Sequence, residues 1–322
     1  MKKIFITGEE GSIAKTMAKL ANNFDCQVMR ADNELKTFQN FKARDFELDF
    51  TNPINLEKAI IAMQPDVIVH AGAYVNSDFC LHAKNDAVKT NVYGTQNIVD
   101  MCNKYGIKLI YLSTTAIFDI KDYSRDKCIT EETIISPHTL YGITKYAGEL
   151  IVSNTCQTDN TILRPVFGFG DFPDDINSAI TKFVYHSYNN IESKLHILLD
   201  KNIAKSYYRV ENIASIILQF IQDDIWNEKV NIGEYWIERK DWRLLSNIIE
   251  SYMPENFNTQ NIIFYPHTDY LGWHNISNVK MLNLIGKVKN EISFNDGLKM
   301  LIESVKHSNA LPYWYEHEQP HL

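Results

Sequence analysis

The strongest indication of the fold is the stretch Ile4-Phe5-Ile6-Thr7-Gly8-Glu9-Glu10-Gly11-Ser12-Ile13-Ala14. A short apolar run ends at Thr7-Gly8, and a segment with helical spacing of apolar residues follows Gly11. Glycines between a strand and a helix form the tight turn where a dinucleotide pyrophosphate rests on the helix N-terminus. Ala14 is small enough for that helix to pack closely on the strand. Without this context, the two glycines would predict only a tight turn.

Strand-like and helix-like segments alternate behind this turn. Apolar strands separated by helices indicate a parallel sheet that is covered on both faces. The predicted strands are 4–6, 26–31, 46–50, 66–70, 108–112, 161–164, 195–199 and 229–232. The predicted helices are 11–20, 52–63, 87–105, 141–152, 212–222, 244–252 and 294–305.

This pattern predicts an α/β protein with a Rossmann-type doubly wound parallel sheet. The dinucleotide-binding domain is expected over residues 1–165. Residues 166–322, where short strands mix with helices, are expected to form mainly a smaller α/β substrate lobe, with the chain crossing between the two.

Composition excludes several classes of protein. The net charge of −8 is unsuited to a nucleic-acid binder, which depends on basic residues to neutralise phosphates. The five cysteines are scattered without a CxxC pair, so neither a disulfide framework nor a zinc or other metal site is expected. No apolar run is long enough for a transmembrane helix. We expect a cytoplasmic protein that binds neither nucleic acid nor membrane.

A second motif, Tyr141-Gly142-Ile143-Thr144-Lys145, suggests proton transfer. Tyrosine and lysine four residues apart lie on one face of a helix, so we expect the ammonium to lower the pKa of Tyr141. Thr114 follows the strand at 108–112, where a hydroxyl can hydrogen-bond a substrate carbonyl while Tyr141 moves the proton. Taken singly, Tyr141 is an ordinary half-buried tyrosine and Lys145 a surface charge.

The end of the second predicted strand bears on the choice of cofactor. Asp32 can accept hydrogen bonds from ribose hydroxyls and would repel a 2′-phosphate, which favours NAD. Arg30 on the same strand favours NADP, so that alternative stays open. Glu9 and Glu10 place carboxylates where the phosphates approach, which would weaken the site.

The order of these motifs resembles the extended short-chain dehydrogenase/reductase family over nearly the whole chain. Within that family it is most similar to the dTDP-4-dehydrorhamnose reductases and related nucleotide-sugar epimerase-reductases. The matching segments are Gly8/Gly11/Ala14, Asp49, His70-Ala71-Gly72-Ala73, Asn91-Val92-Tyr93-Gly94-Thr95-Gln96-Asn97, Ser113-Thr114, Tyr141 to Lys145 with Gly148-Glu149, Leu163-Arg164-Pro165 and Tyr208 to Ala214.

The resemblance implies NAD(P)-dependent reduction of a nucleotide-linked keto-sugar, in deoxysugar or surface-polysaccharide biosynthesis. It implies a homodimer formed through the helices at 87–105 and 141–156, and Thr114, Tyr141 and Lys145 as catalytic residues. The implied cofactor contacts are Gly8, Gly11, Ser12, Ile13, Asp32, Asp49, Phe50, Ala71, Gly72, Ala73, Asn91, Tyr141, Lys145 and Pro165. The implied substrate contacts are Tyr74, Thr115, Phe118, Lys205 and Arg209.

Two other functions stay open. An NAD-dependent nucleotide-sugar epimerase would oxidise and re-reduce one carbon, and a non-catalytic NAD(P)-binding regulatory subunit would only bind a partner. Nucleotide-sugar dehydratases of the family carry Asp-Glu where this chain has Thr115 and Ala116, which counts against dehydration. Lys205 stands where the family usually has arginine, which leaves the substrate undetermined.

Overall fold

A parallel sheet forms the centre of the protein, as the apolar strands predict. The computed structural model describes residues 1–8, 11–31, 48–75, 77–118, 128–175, 178–189, 195–197, 206–233, 242–260, 262–264 and 276–310. In this part of the chain six parallel strands follow the order β2-β1-β3-β4-β5-β9. They are β1 (Lys2–Thr7), β2 (Cys26–Ala31), β3 (Val67–His70), β4 (Lys108–Leu112), β5 (Asn160–Pro165) and β9 (Lys229–Ile232).

Helices cover both faces of the sheet because successive side chains of each strand point to opposite sides. Ile4 and Ile6 pack with α1 (Ser12–Leu20), α8 (Val210–Gln222) and α10 (Val279–Ile285). Phe5 lies on the other face, in the cluster that includes α2 (Pro53–Met63), α5 (Gly94–Tyr105) and α6 (Leu140–Thr155). Two short helices, α3 (Ser77–His82) and α4 (Lys84–Val88), precede α5.

A third hydrophobic cluster lies beyond the carboxyl end of β5. It includes residues of α7 (Ala179–Asn189), α9 (Trp242–Tyr252) and α11 (Phe294–Lys306). Its strands form two parallel pairs, β6 with β8 and β7 with β10. They are β6 (Phe167–Phe169), β7 (Leu195–Ile197), β8 (Tyr207–Arg209) and β10 (Ile262–Phe264). Between β8 and β10 in sequence, α8 and β9 return to the central sheet.

Two elements differ from the sequence prediction. The predicted strand at 46–50 lies partly outside the described residues, and residues 48–50 are not in a strand. Asp49 instead accepts hydrogen bonds from Thr51 N and Thr51 Oγ1, which turns the chain there. Asn52, rather than Asp49, caps α2 by accepting from Ile54 N and Asn55 N.

The predicted helix at 87–105 is interrupted. A π-helical turn over Lys89–Tyr93 separates α4 from α5. Such turns occur often at functional sites, and this one contains Asn91. In the described part of the chain, no helix combines the length and the apolar character needed to cross a bilayer.

Candidate active site

The glycine turn at the end of β1 has the form that the sequence predicts. Gly8 adopts φ +76°, and a Cβ there would lie 2.8 Å from Gly72 Cα, so only glycine fits without displacing the neighbouring loop. Gly11 N–H donates to Gly8 O at 3.0 Å and closes the turn. Ala14 is fully buried between α1 and the sheet. Glu9, Glu10 and Asp32 lie outside the described residues.

The N-terminus of α1 opens at this turn. Gly11 precedes the helix in an extended conformation, no side chain caps the first turn, and that turn contains no acidic residue. The backbone N–H groups at this end, including those of Ser12 and Ile13, therefore have no side-chain partner within their own helix. Together with the macrodipole, they form a cradle suited to a pyrophosphate.

Thr114 and Tyr141 meet beyond the carboxyl end of β4. Thr114 caps a short 3₁₀ turn, Thr115–Ile117, by accepting from Ala116 N at 3.1 Å. The Thr114 side chain also hydrogen-bonds Tyr141, which is half-buried near the start of α6. Gly142 makes this approach possible, because a Cβ there would lie only 2.4 Å from Ala116 O.

The predicted lowering of the Tyr141 pKa is wrong. Burial raises this pKa to about 12, against the opposing effect of the Thr114 hydrogen bond, and the nearby Cys80 raises it further. The Lys145 ammonium, one turn further along α6, lies 4.2 Å from the centre of the Tyr111 ring. Desolvation therefore keeps Tyr141 a neutral phenol, which is a proton donor at neutral pH.

Lys145 is a buried lysine whose charge is only marginally stable. Burial lowers its pKa to about 7, although the negative charge of Glu149 acts in the opposite direction. The face of the Tyr111 ring stabilises the ammonium. Because an ordinary lysine has a pKa of about 10.4, this shift marks Lys145 as a candidate functional group.

A buried ion pair supports the helix behind Lys145. Glu149 lies one turn further along α6 and receives two hydrogen bonds from Arg164, at 2.9 and 2.7 Å. Both side chains are almost fully buried. The guanidinium also lies over the ring of Phe118, 5.4 Å from its centre. This pair fixes α6 against the end of β5, which Pro165 completes.

Several predicted cofactor contacts have other partners in the structure. The buried Asn91 side chain accepts a hydrogen bond from Tyr74 N and donates to Tyr74 O and Thr144 Oγ1, at distances of 2.7 to 3.0 Å. Phe50 is buried against Gly72 and Gly94. Their side chains therefore position the loop after β3, which contains Ala71, Gly72 and Ala73, and are not themselves exposed to a ligand.

The predicted substrate contacts divide in the same way. Tyr74 is exposed, whereas Thr115 and Phe118 are buried, so the prediction that these two side chains contact substrate is not supported. The Arg209 guanidinium is fully buried and paired with Asp171 and Glu211, so it is not available to a diphosphate. Lys205 lies outside the described residues.

Sequence reasoning missed Cys80, which lies beside the candidate catalytic tyrosine. Its buried thiol donates a hydrogen bond to Tyr74 O at 3.5 Å, and its position contributes to the raised pKa of Tyr141. A single cysteine far from Tyr141 in sequence carried no signal of this proximity.

The class of protein follows from this fold and site, and comparisons with known proteins agree. A UDP-glucose 4-epimerase from Thermus thermophilus, solved in complex with NAD, aligns with a TM-score of 0.80 at 16% identity, over 95% of this chain and 99% of that one. dTDP-glucose 4,6-dehydratase from Bacillus anthracis str. Ames, also in complex with NAD, aligns with a TM-score of 0.80 at 20% identity, over 96% and 98%. The chain has the fold of the extended short-chain dehydrogenase/reductase enzymes.

The family is narrower than the fold. The model of the RmlD substrate binding domain matches residues 1–240, and the chain belongs to that family. The dTDP-4-dehydrorhamnose reductase of Aggregatibacter actinomycetemcomitans is 26% identical over 236 residues, 73% of this chain and 72% of that enzyme. The GDP-6-deoxy-D-talose 4-dehydrogenase of the same organism is 26% identical over 279 residues, 83% and 86% of the two chains.

Proposed function

We propose that this protein is an NAD(P)-dependent reductase of a nucleotide-linked keto-sugar, with a role in deoxysugar or surface-polysaccharide biosynthesis. The observation that carries the proposal is the hydrogen bond between Thr114 and Tyr141, with Lys145 one turn further along the same helix. It lies at the carboxyl edge of the sheet, where the Gly8–Gly11 turn also lies. The similarity to a dTDP-4-dehydrorhamnose reductase and a GDP-6-deoxy-D-talose 4-dehydrogenase supports the substrate class.

NAD is the proposed cofactor, with NADP as the alternative. Gly8, Gly11 and the N–H groups of Ser12 and Ile13 would hold its pyrophosphate, because this turn is shaped for close backbone approach and the helix end lacks side-chain caps. Bound there, the nicotinamide would supply the hydride.

The residues of the chain would supply proton transfer and orientation. Tyr141 is neutral at physiological pH and would donate its proton to the sugar oxygen as charge develops on it. Thr114 would hydrogen-bond the same oxygen and hold it within reach of Tyr141. Lys145, when protonated, would stabilise the phenolate that remains and contact the cofactor ribose.

The protonation state of Tyr141 favours reduction over epimerisation as the first step. An epimerase must begin by removing a proton from an alcohol, which requires an ionised base. A phenol with a pKa raised to about 12 is instead ready to donate. Reduction of a keto-sugar would use Tyr141 in this neutral form.

We further propose a homodimer formed through the outer side of α6. Ile143 and Leu150 lie seven residues apart on this helix and are 48% and 46% exposed. Their spacing places them on one face of the helix. Tyr93, before α5, is also exposed. An apolar face on the helix that contains Tyr141 suits self-association.

A turnover experiment tests the proposed function. The purified protein would be denatured and any released nucleotide identified by mass, and native protein would then be assayed with NADH or NADPH and 4-keto-6-deoxy sugars linked to dTDP, GDP or UDP. Oxidation of the reduced cofactor that depends on a keto-sugar would support the reductase. A retained nucleotide with sugar epimerisation and no net cofactor consumption would show an epimerase. A protein that binds neither cofactor would overturn the proposal.

A further inference from the structure

A series of buried hydrogen bonds begins at the cofactor turn. Thr7, His70 and Tyr111 are neighbours in register across β1, β3 and β4, at the carboxyl end of the sheet. Thr7 Oγ1 accepts a hydrogen bond from Gly72 N at 2.9 Å and lies 2.8 Å from His70 Nδ1. The last residues of β1 and β3 are thus joined through side chains as well as through the backbone.

The same series continues to the catalytic helix. His70 Nε2 lies 3.2 Å from Thr95 Oγ1, and the Thr95 hydroxyl donates to Asn91 O at 2.7 Å. Asn91 Nδ2 donates to Thr144 Oγ1 at 2.9 Å, and the Thr144 hydroxyl donates to Tyr141 O at 2.9 Å. The side chains of the series are at most 2% exposed, so water does not compete for these bonds.

The hydrogen bond from the Thr95 hydroxyl to Asn91 O assigns the direction of the two bonds at His70. The Thr95 hydroxyl has one proton and gives it to the carbonyl of Asn91, so the bond between Thr95 and His70 requires a proton on Nε2. Burial, together with the charge of Lys145, lowers the pKa of His70 to about 3, so the ring is neutral. Nδ1 is then an acceptor, and the Thr7 hydroxyl donates to it.

The third residue of the row leads to the other catalytic group. Tyr111 supports the Lys145 ammonium on its ring face, and its hydroxyl donates to Lys145 O at 3.2 Å. The ring of His70 lies 5.8 Å from that of Tyr111. One row of side chains across three strands therefore reaches both Tyr141 and Lys145.

We infer that His70, as its neutral Nε2–H tautomer, is a positioning residue that couples the cofactor turn to the catalytic helix. The inference rests on the proposed function, since it assigns Tyr141 and Gly8 to one reaction. The rest of β3, Val67 to Val69, is buried and apolar, so a ring with two polar atoms is costly there unless both are bonded. Both His70 nitrogens are bonded, and their partners lie on opposite sides of the site.

Substitution of His70 separates coupling from simple stability. His70→Phe keeps a planar ring among aromatic neighbours but cannot bond Thr7 or Thr95. We expect NAD(P)H affinity and kcat each to fall by about 5- to 10-fold, which is the lower end of the usual coupling between sites. His186→Phe, a buried histidine on α7, is the matched control and should change neither. Unchanged affinity and kcat in a folded His70→Phe protein would overturn the inference.

A double-mutant cycle tests the path itself. Thr7→Val and Thr144→Val break the series near opposite ends. Distant, independent substitutions contribute additively, so two breaks in one connected path should together lower kcat/KM by less than the product of their separate effects. Losses that simply multiply would contradict a connected path.

Nitrogen NMR of labelled histidine in the unmodified protein gives a test that needs no variant to fold. The His70 imidazole should be neutral throughout the physiological pH range, with its proton on Nε2. A proton on Nδ1, or titration near the ordinary histidine pKa of about 6.5, would overturn the assignment. Binding of NADH and NADPH to the wild-type protein is measured separately. If it bound neither, the proposed function would fail, while the NMR result would still decide the tautomer.

Discussion

Lys145 on α6 and Arg209 at the start of α8 are both buried cations, but their surroundings differ. Arg209 is bonded to Asp171, Glu211 and the carbonyl of Gly297 on α11. Lys145 has no carboxylate within salt-bridge distance among the described residues, and its ammonium faces the Tyr111 ring. Equal burial therefore produces one satisfied charge and one that is readily lost.

This contrast indicates which of the two buried charges is a candidate for a chemical role. A cation with matched anions stays ionised and holds the fold together, whereas an unpaired one has its pKa shifted toward neutrality. Sequence motifs suggested ligand contacts for both regions. The structure retains α6 as the candidate site and assigns Arg209 to packing beside the third cluster, that of α7, α9 and α11.

The largest expected effect comes from removing the Tyr141 hydroxyl. Tyr141→Phe should lower kcat by about 10²- to 10⁴-fold, because a positioned proton donor contributes that much, while NAD(P)H binding stays intact. Steady-state kinetics with cofactor titrations would measure both. Tyr146→Phe removes the same atom elsewhere on α6 and should keep full activity. Full activity of the Tyr141→Phe enzyme would contradict the role of Tyr141 as proton donor.

Loss of the partner carboxylate should destabilise the protein more at Arg164 than at Arg209. Glu149→Gln leaves Arg164 buried without its anion and should lower the free energy of unfolding by about 3–5 kcal/mol. Asp171→Asn should cost about 1 kcal/mol or less, because Asp171 is 37% exposed and Arg209 keeps Glu211. Urea unfolding of both variants would compare them. If both variants lost the same free energy of unfolding, burial would not distinguish the Glu149–Arg164 pair from the Asp171–Arg209 pair.

The shifted pKa of Lys145 predicts a pH dependence of stability. Its pKa is about 7 in the folded protein and 10.5 ordinarily, so between these values the unfolded chain binds more protons. Stability from this group therefore rises with pH across that window, by up to about 1.4 kcal/mol for each pH unit. Urea unfolding of wild type and Lys145→Met should give free energies that diverge as pH rises, in favour of wild type.

Lys299→Met is the control for this titration. Lys299 is exposed on α11, and its substitution should leave a difference from wild type that does not vary with pH. A constant difference for Lys145→Met as well would show that Lys145 titrates normally.

The smallest expected effect on chemistry comes from the outer side of α6. Ile143→Glu combined with Leu150→Glu places charges on the proposed dimer face and should shift the protein from dimer to monomer. Met300→Glu, at an exposed apolar position on α11, should leave the assembly unchanged. Sedimentation velocity of the three proteins would decide. A wild-type monomer, or a dimer that survives both charges, would contradict this interface.

Local patterns carried most of the fold prediction. The apolar strands, the glycine turn and the helix at 141–152 have the predicted type, and β9 matches its predicted bounds. The strand prediction at 46–50 is wrong for residues 48–50, because the Asp49 carboxylate accepts local hydrogen bonds from Thr51 and turns the chain. Alternation of apolar and polar residues does not reveal such local hydrogen bonds. The π-helical turn within the predicted helix at 87–105 was not foreseen, because the helical spacing of apolar residues continues through Asn91.

The candidate site was predictable in its residue types and less so in its roles. Spacing alone places Tyr141 and Lys145 on one face, and strand order brings Thr114 to the same edge. Asn91 and Phe50 were predicted to contact the cofactor because of their places in the order of motifs. A sequence does not show which other residues each side chain contacts in the fold. The structure shows both occupied within the fold.

Sequence alone was enough to predict the class of fold, the glycine turn and the candidate catalytic residue types, because these depend on local spacing and backbone freedom. The pKa shifts of Tyr141 and Lys145, the burial of Arg209 and the partners of His70 became apparent only from the packed fold. Those properties depend on desolvation and on contacts between residues far apart in the chain, and the balance of burial against pairing exists only once the strands and helices are packed.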